Sequence, residues 1–214
     1  MGNFLAVTAF RSDSAADVSA AISGYLTGHG VSVETLSAGP PDPGRDAQIY
    51  APTSGWVVVL WPAYFNIHDF PLARSVATAR NWLVSTIHVY DDEYWEHLAH
   101  NGPAELHAFS SRPSFWQDES PEDFERVASY DSTPERLAAA VGAPAAMIQP
   151  YLADADSLSS SKVKAHSDDE FPLGNVWVFT DFWRRLGIPY PTPPQNLATV
   201  LRLARNFSRK LPNA

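Results

Sequence analysis

Two runs decide how residues 55–111 fold: Trp56-Val57-Val58-Val59-Leu60-Trp61 and His88-Val89-Tyr90-Asp91-Asp92-Glu93. The first is six apolar residues without a break. Such a run is either the central strand of a sheet or a strand covered on both faces. A helix is predicted between the two, starting near Asp69 with Pro71 in its first turn, where the missing N–H costs nothing. Its apolar residues Leu72, Val76, Ala79 and Leu83 recur at helical spacing. Residues 84–90 return to strand. Asn101-Gly102 is a type I′ turn signal and predicts a hairpin joining residues 94–99 to 104–110. The rival is a helix starting after Asp91, with Tyr94, Trp95 and Leu98 on its buried face.

Upstream, residues 4–10 read as a strand, and Ser14-Ala15-Ala16-Asp17 opens a helix with a capping pattern. Val18, Ile22, Tyr25 and Leu26 form its stripe, and Gly28 and Gly30 end it. Residues 31–36 and 48–52 read as further strands around a Pro/Gly loop. The order β-α-β-β-α-β predicts an α/β (α+β) fold: a ferredoxin-like antiparallel sheet extended by the hairpin. A parallel three-layer sheet is the alternative.

Downstream the pattern turns helical. Starts are predicted at Ser120-Pro121, Thr133-Pro134 and Ala143-Pro144, then a helix over 175–186 and a last one over 194–209 with Leu197, Leu201, Ala204 and Phe207 inward. Residues 153–170 are polar and read as a mobile loop. Residues 1–111 are thus a sheet domain and 112–214 a helical extension packed on the same core, forming one structural unit.

The chain of 214 residues is 45% hydrophobic and carries a net charge of −9. The acidic balance argues against nucleic acid as a partner. With no cysteine, disulfide and thiolate chemistry is excluded. No secretory leader or apolar span is visible, which predicts a cytoplasmic protein with no membrane association. Phosphate-loop, dinucleotide and nucleophile-elbow motifs are absent, so no cofactor is expected.

Ionisable residues concentrate at His88, Asp91, Glu96, His97, His100 and His107. A histidine beside a carboxylate is what acid/base chemistry needs, because the carboxylate orients the ring and adjusts its pKa. His88 with Asp91 or Glu96 is the candidate pair, and a two-residue Asn101-Gly102 turn sets Glu96 opposite His107. His68 and Asp69, after the apolar strand and before a helix, are a second catalytic candidate. Asp168-Asp169-Glu170 is a third acidic group, read as a solvated loop. Trp61, Tyr64, Tyr90, Trp95, Trp183 and Arg184 are candidate binding residues. No metal set has recognised spacing. Two functions follow. One is a cofactor-free protein that binds a small molecule or protein partner, a homo-oligomer included. The other is a small enzyme transferring protons through the histidine–carboxylate pair, with lyase, isomerase or cyclase chemistry.

Overall fold

The computed structural model describes residues 4–36, 40–116, 134–158, 162–191 and 196–213. Strands β1 (Leu5–Arg11), β2 (Val33–Leu36), β3 (Asp46–Tyr50), β4 (Trp56–Leu60), β5 (Leu83–Tyr90), β6 (Tyr94–Asn101), β7 (Ala104–Ser110) and β8 (Leu197–Leu203) form one eight-stranded sheet in the order β2-β8-β3-β4-β1-β5-β6-β7. Every pairing is antiparallel. The sheet is larger than the four-stranded ferredoxin-like unit the element order suggests.

Helices α1 (Ala15–Gly28) and α2 (Asp69–Arg80) cover one face. Val18, Ile22 and Leu26 of α1 and Leu72 and Val76 of α2 pack there against Phe10, Val57, Val59 and Leu201. The opposite face carries α3 (Pro134–Val141), the short α4 (Ala145–Ile148) and α5 (Val178–Arg185). Leu137, Ile148, Phe179, Phe182 and Trp183 bury Val7, Val58, Leu60 and Ile87. With helices on both sides, inward and outward positions of β4 are equally dry, and this explains the unbroken apolar run. Each such buried Val or Leu contributes roughly 1.5–3 kcal/mol. Among the described residues no helix is long and apolar enough to cross a membrane.

Local signals hold at several ends. Ser14 Oγ accepts the Asp17 N–H at 3.1 Å and caps α1. Helix α5 stops at Gly187, whose φ is +72°, with Gly187 N–H bonded to Arg184 O and Ile188 N–H to Trp183 O.

Four expectations are corrected. Residues 197–203 are a strand, not part of a last helix. A stripe through Leu197, Leu201 and Ala204 suits a helix, but Leu201 and Leu203 also alternate, and Thr199-Val200 is β-branched. Tertiary context decides, because β8 supplies ladders to both β2 and β3, whose facing edges need partners. Arg202 lies directly opposite Asp46 and holds it through two bonds of 2.8 Å. Second, the stretch after Asp91 is a strand, and the hairpin stands, but its turn is Gly102-Pro103 with Asn101 paired to Ala104. Positive φ at Gly102 followed by proline's fixed φ is the type II′ pattern. Third, Ala99 faces His107 while His100 faces Glu105, so Leu106 is a bulged extra residue. Glu96 therefore lies opposite Ser110, and His107 points to the other face of the sheet. Fourth, the polar loop within 153–170 is anchored at Asp169, which is only 3% exposed. The helix expected at Ser120 lies outside the described residues.

Gly102 has φ +57°, and a Cβ there runs into the Asn81 side-chain oxygen. Gly102→Ala is expected to cost about 1–3 kcal/mol, from the strained φ and the collision. Thermal unfolding checks this; an unchanged midpoint means the turn relaxes freely.

Candidate functional site

His88 on β5 and Glu96 on β6 are direct cross-strand neighbours, a spacing at which the side chains must meet. Their contact, His88 Nε2 to Glu96 Oε2, is 2.6 Å. The other ring nitrogen faces Asp69, the first residue of α2, at 3.4 and 3.5 Å from its two carboxylate oxygens. Asp69 Oδ1 also accepts the Phe70 N–H at 2.9 Å. The Phe70 ring stacks on the imidazole, with centroids 4.5 Å apart and planes 15° off parallel. The result is a carboxylate–imidazole–carboxylate row, with Asp69 and Glu96 fully buried and His88 3% exposed.

Burial alone disfavours the charged ring. The two carboxylates outweigh it and raise the His88 pKa to about 9. Burial also raises the Asp69 carboxyl, against the pull of His88. At neutral pH His88 is therefore an imidazolium, a proton donor held between two acceptors and closed off by Phe70.

Of the catalytic candidates, the structure unites His88 with Glu96. Asp91 stands on the exposed β5–β6 turn at φ +51°. His68 faces elsewhere: Nδ1–H donates to Pro212 O at 2.9 Å, leaving Nε2 to accept from Ser208 Oγ at 3.0 Å. It ties the C-terminal segment to the start of α2, and burial holds its pKa below the usual histidine value. Asp69, not His68, reaches His88. Its position after a loop and before a helix marks it as a cap; nothing local marks it as a partner for a strand residue.

The binding candidates divide between the two faces. Trp61 is buried, stacks on Phe65 and donates Nε1–H to Thr8 Oγ1 at 2.8 Å. Tyr64, at φ +63°, is 54% exposed, and Tyr90 is half-buried near it, each against Phe4. Trp95 and Trp183 belong to the core under α5. Arg184 pairs with Asp168, Asp169 and Asp181. Asp169 also accepts from Tyr151 Oη and Arg185, so the acidic group read as a solvated loop is a structural knot on α5.

The remaining histidines split by face. Trp183 Nε1–H donates to Ser85 Oγ at 3.0 Å, Ser85 Oγ contacts His97 Nε2 at 2.9 Å, and His97 Nδ1 meets His107 Nδ1 at 2.8 Å. Burial lowers both rings, His107 to about 4 and His97 well below the usual value. This neutral chain lies under α5, across the sheet from His88. Among the described residues no cluster of three or more His, Asp or Glu side chains is placed to hold a metal ion.

An apolar groove of about 740 Å³ opens beside the His88 row, between α2 and the β6–β7 hairpin. Phe70, Pro71, Leu98 and Ala108 line it, together with the paired side chains of Arg74 and Glu105. Phe70 is shared: one side of its ring covers His88 and the residue lines the groove. Sequence reasoning missed this groove, because its walls come from separate elements and none carries a motif. No family model matches the sequence, and no curated protein or solved structure matches the chain.

Proposed function

We propose that this protein is a cytoplasmic binding protein that takes a small apolar ligand, without cofactor, in the groove between α2 and the β6–β7 hairpin. One observation carries the reading. The groove volume falls in the range of small-molecule sites, and its largely apolar walls carry a few polar groups, Arg74 and Glu105 among them. The His88 row beneath it serves as the rigid floor: it fixes the start of α2 to β5 and β6 and holds Phe70 in place. The same reading takes β3-β4-β1-β5 with α1 and α2 as a ferredoxin-like unit. That unit is widened by β8 and β2 on one side and by the hairpin on the other.

A proton-transfer enzyme is the second reading, supported by the 2.6 Å His88–Glu96 contact. It requires Phe70 to swing away so that substrate reaches the ring. The binding reading requires no such movement.

The test is fluorescence titration with the methyl ester of dansyl-undecanoic acid, a neutral apolar probe. Saturable binding is expected for the natural chain. Ser75 is exposed on α2 and lines the groove, so Ser75→Trp is expected to fill it and abolish binding with the fold unchanged. Absence of saturable binding, or equal binding by Ser75→Trp, removes the proposal.

A further inference from the structure

The ion pairs that fix α5 and join β3 to β8 are tight: Arg185–Asp169 is 2.6 Å and Arg202–Asp46 is 2.8 Å. The pair in the groove wall is different. Arg74 is 63% exposed and approaches Glu105 only to 3.5 Å. Across the strand pair, His100 Nε2 stands 3.8 Å from the same carboxylate, beyond hydrogen-bond reach. His100 is 2% exposed, and neither of its ring nitrogens has a hydrogen-bond partner among the described residues. An imidazole left that way costs about 1–3 kcal/mol. Arg136, from α3, is engaged separately, donating to the Glu105 backbone carbonyl at 2.7 Å. One guanidinium, that of Arg74, therefore stands loosely beside the Glu105 carboxylate, and the buried ring of His100 next to it lacks a partner.

We propose that the Arg74 side of the groove binds the carboxylate of an apolar monocarboxylic acid of fatty-acid type. The claim rests on the groove being a ligand site and adds the ligand's class. Arg74 offers a forked pair of donors that matches a carboxylate, and a neutral His100 offers a ring N–H beside it. Glu105, 41% exposed, turns to water as the ligand enters. The acyl chain then lies over Pro71, Phe70, Leu98 and Ala108. A single negative charge fits best, because only the long Glu105 contact is exchanged and Arg136 stays on the backbone.

The experiment compares dansyl-undecanoic acid with its methyl ester on the natural chain, Arg74→Gln and Glu105→Gln, each checked for an unchanged melting profile. The acid is expected to bind about tenfold tighter than the ester, the worth of one charge-assisted contact. Arg74→Gln is expected to remove that advantage and leave the ester unaffected. Glu105→Gln is expected to strengthen acid binding about threefold by removing the competing carboxylate, on the order of half a charge-assisted bond. An arginine acting only on the fold would weaken both probes alike. Ester binding with no preference for the acid overturns the carboxylate assignment and leaves the groove reading standing. Failure of both probes overturns the two together.

Discussion

His88→Ala is expected to cost about 3–5 kcal/mol of folding stability, because it leaves two carboxylates in a dry interior without their shared cation. Asp69 and Glu96 are both fully buried, and His88 is the cation between them. The loss exceeds what truncating an imidazole explains through packing. A comparison separates the two contributions. In the background Asp69→Asn with Glu96→Gln, no buried charge is orphaned, so adding His88→Ala is expected to cost only about 1–2 kcal/mol, in the range for an unsatisfied buried polar group. Urea denaturation at pH 7 measures both, with the slope held constant as the sign that only stability changes. Equal costs in the two backgrounds would mean that the row carries no net electrostatic coupling. The result also separates the two functional readings. A catalytic His88 with spare stability tolerates substitution and loses turnover. A His88 that locks α2 to β5 and β6 loses the fold first, and the groove with it.

What could be read from the sequence follows the range of the interaction. Strand alternation and one cross-strand register bring His88 to Glu96, and both are local to the β5–β6 hairpin. Asp69 lies nineteen residues before His88, and their meeting depends on how α2 crosses β5, which no periodicity encodes. The division of the histidines turned on one bulged residue. Without the extra Leu106, His107 sits opposite Leu98, on the face of Glu96; with it, His107 passes to the α5 face and joins His97. The β8 strand failed for another reason. Its leucines satisfy two periods at once, and only the unpaired edges of β2 and β3, far away in sequence, choose between them. The groove is the extreme case: four separate elements and the C-terminal segment wall it, so its existence is purely tertiary.

Stability is expected to peak near pH 6.5, because His88 and the other buried histidines of the sheet titrate in opposite directions. On the alkaline side the group is His88. Its folded pKa, about 9, lies above the unfolded value of 6.5, so the folded state binds the proton more strongly. That stability is fully present below pH 6.5 and is lost as the pH rises through 9, for a total of roughly 3 kcal/mol. On the acid side the groups are His97 and His107, with His100 (about 4) and His68 lowered in the same sense on the other face. The folded values of His97 and His107 lie below 6.5, His107 at about 4, because protonation would put charge among Phe182, Phe109 and each other's ring. Their contribution is present above 6.5 and is lost as the pH falls, with roughly 3 kcal/mol from His107 alone. Asp69 works against the acid-side trend and in the same sense as His88, since its raised pKa favours the folded state at low pH and that contribution is lost as the pH rises. Asp46 and Asp169 have lowered values and act only below the histidine range. Urea midpoints between pH 4 and pH 9 trace the curve. His107→Asn keeps a polar atom where Nδ1 meets His97 and removes the titrating ring. It is expected to make the arm between pH 4 and 6.5 shallower, with His97 and His100 keeping the rest, while leaving the alkaline arm, which belongs to His88 across the sheet. A variant profile parallel to that of the natural chain on the acid side would show that the buried pair is not what makes this fold sensitive to acid.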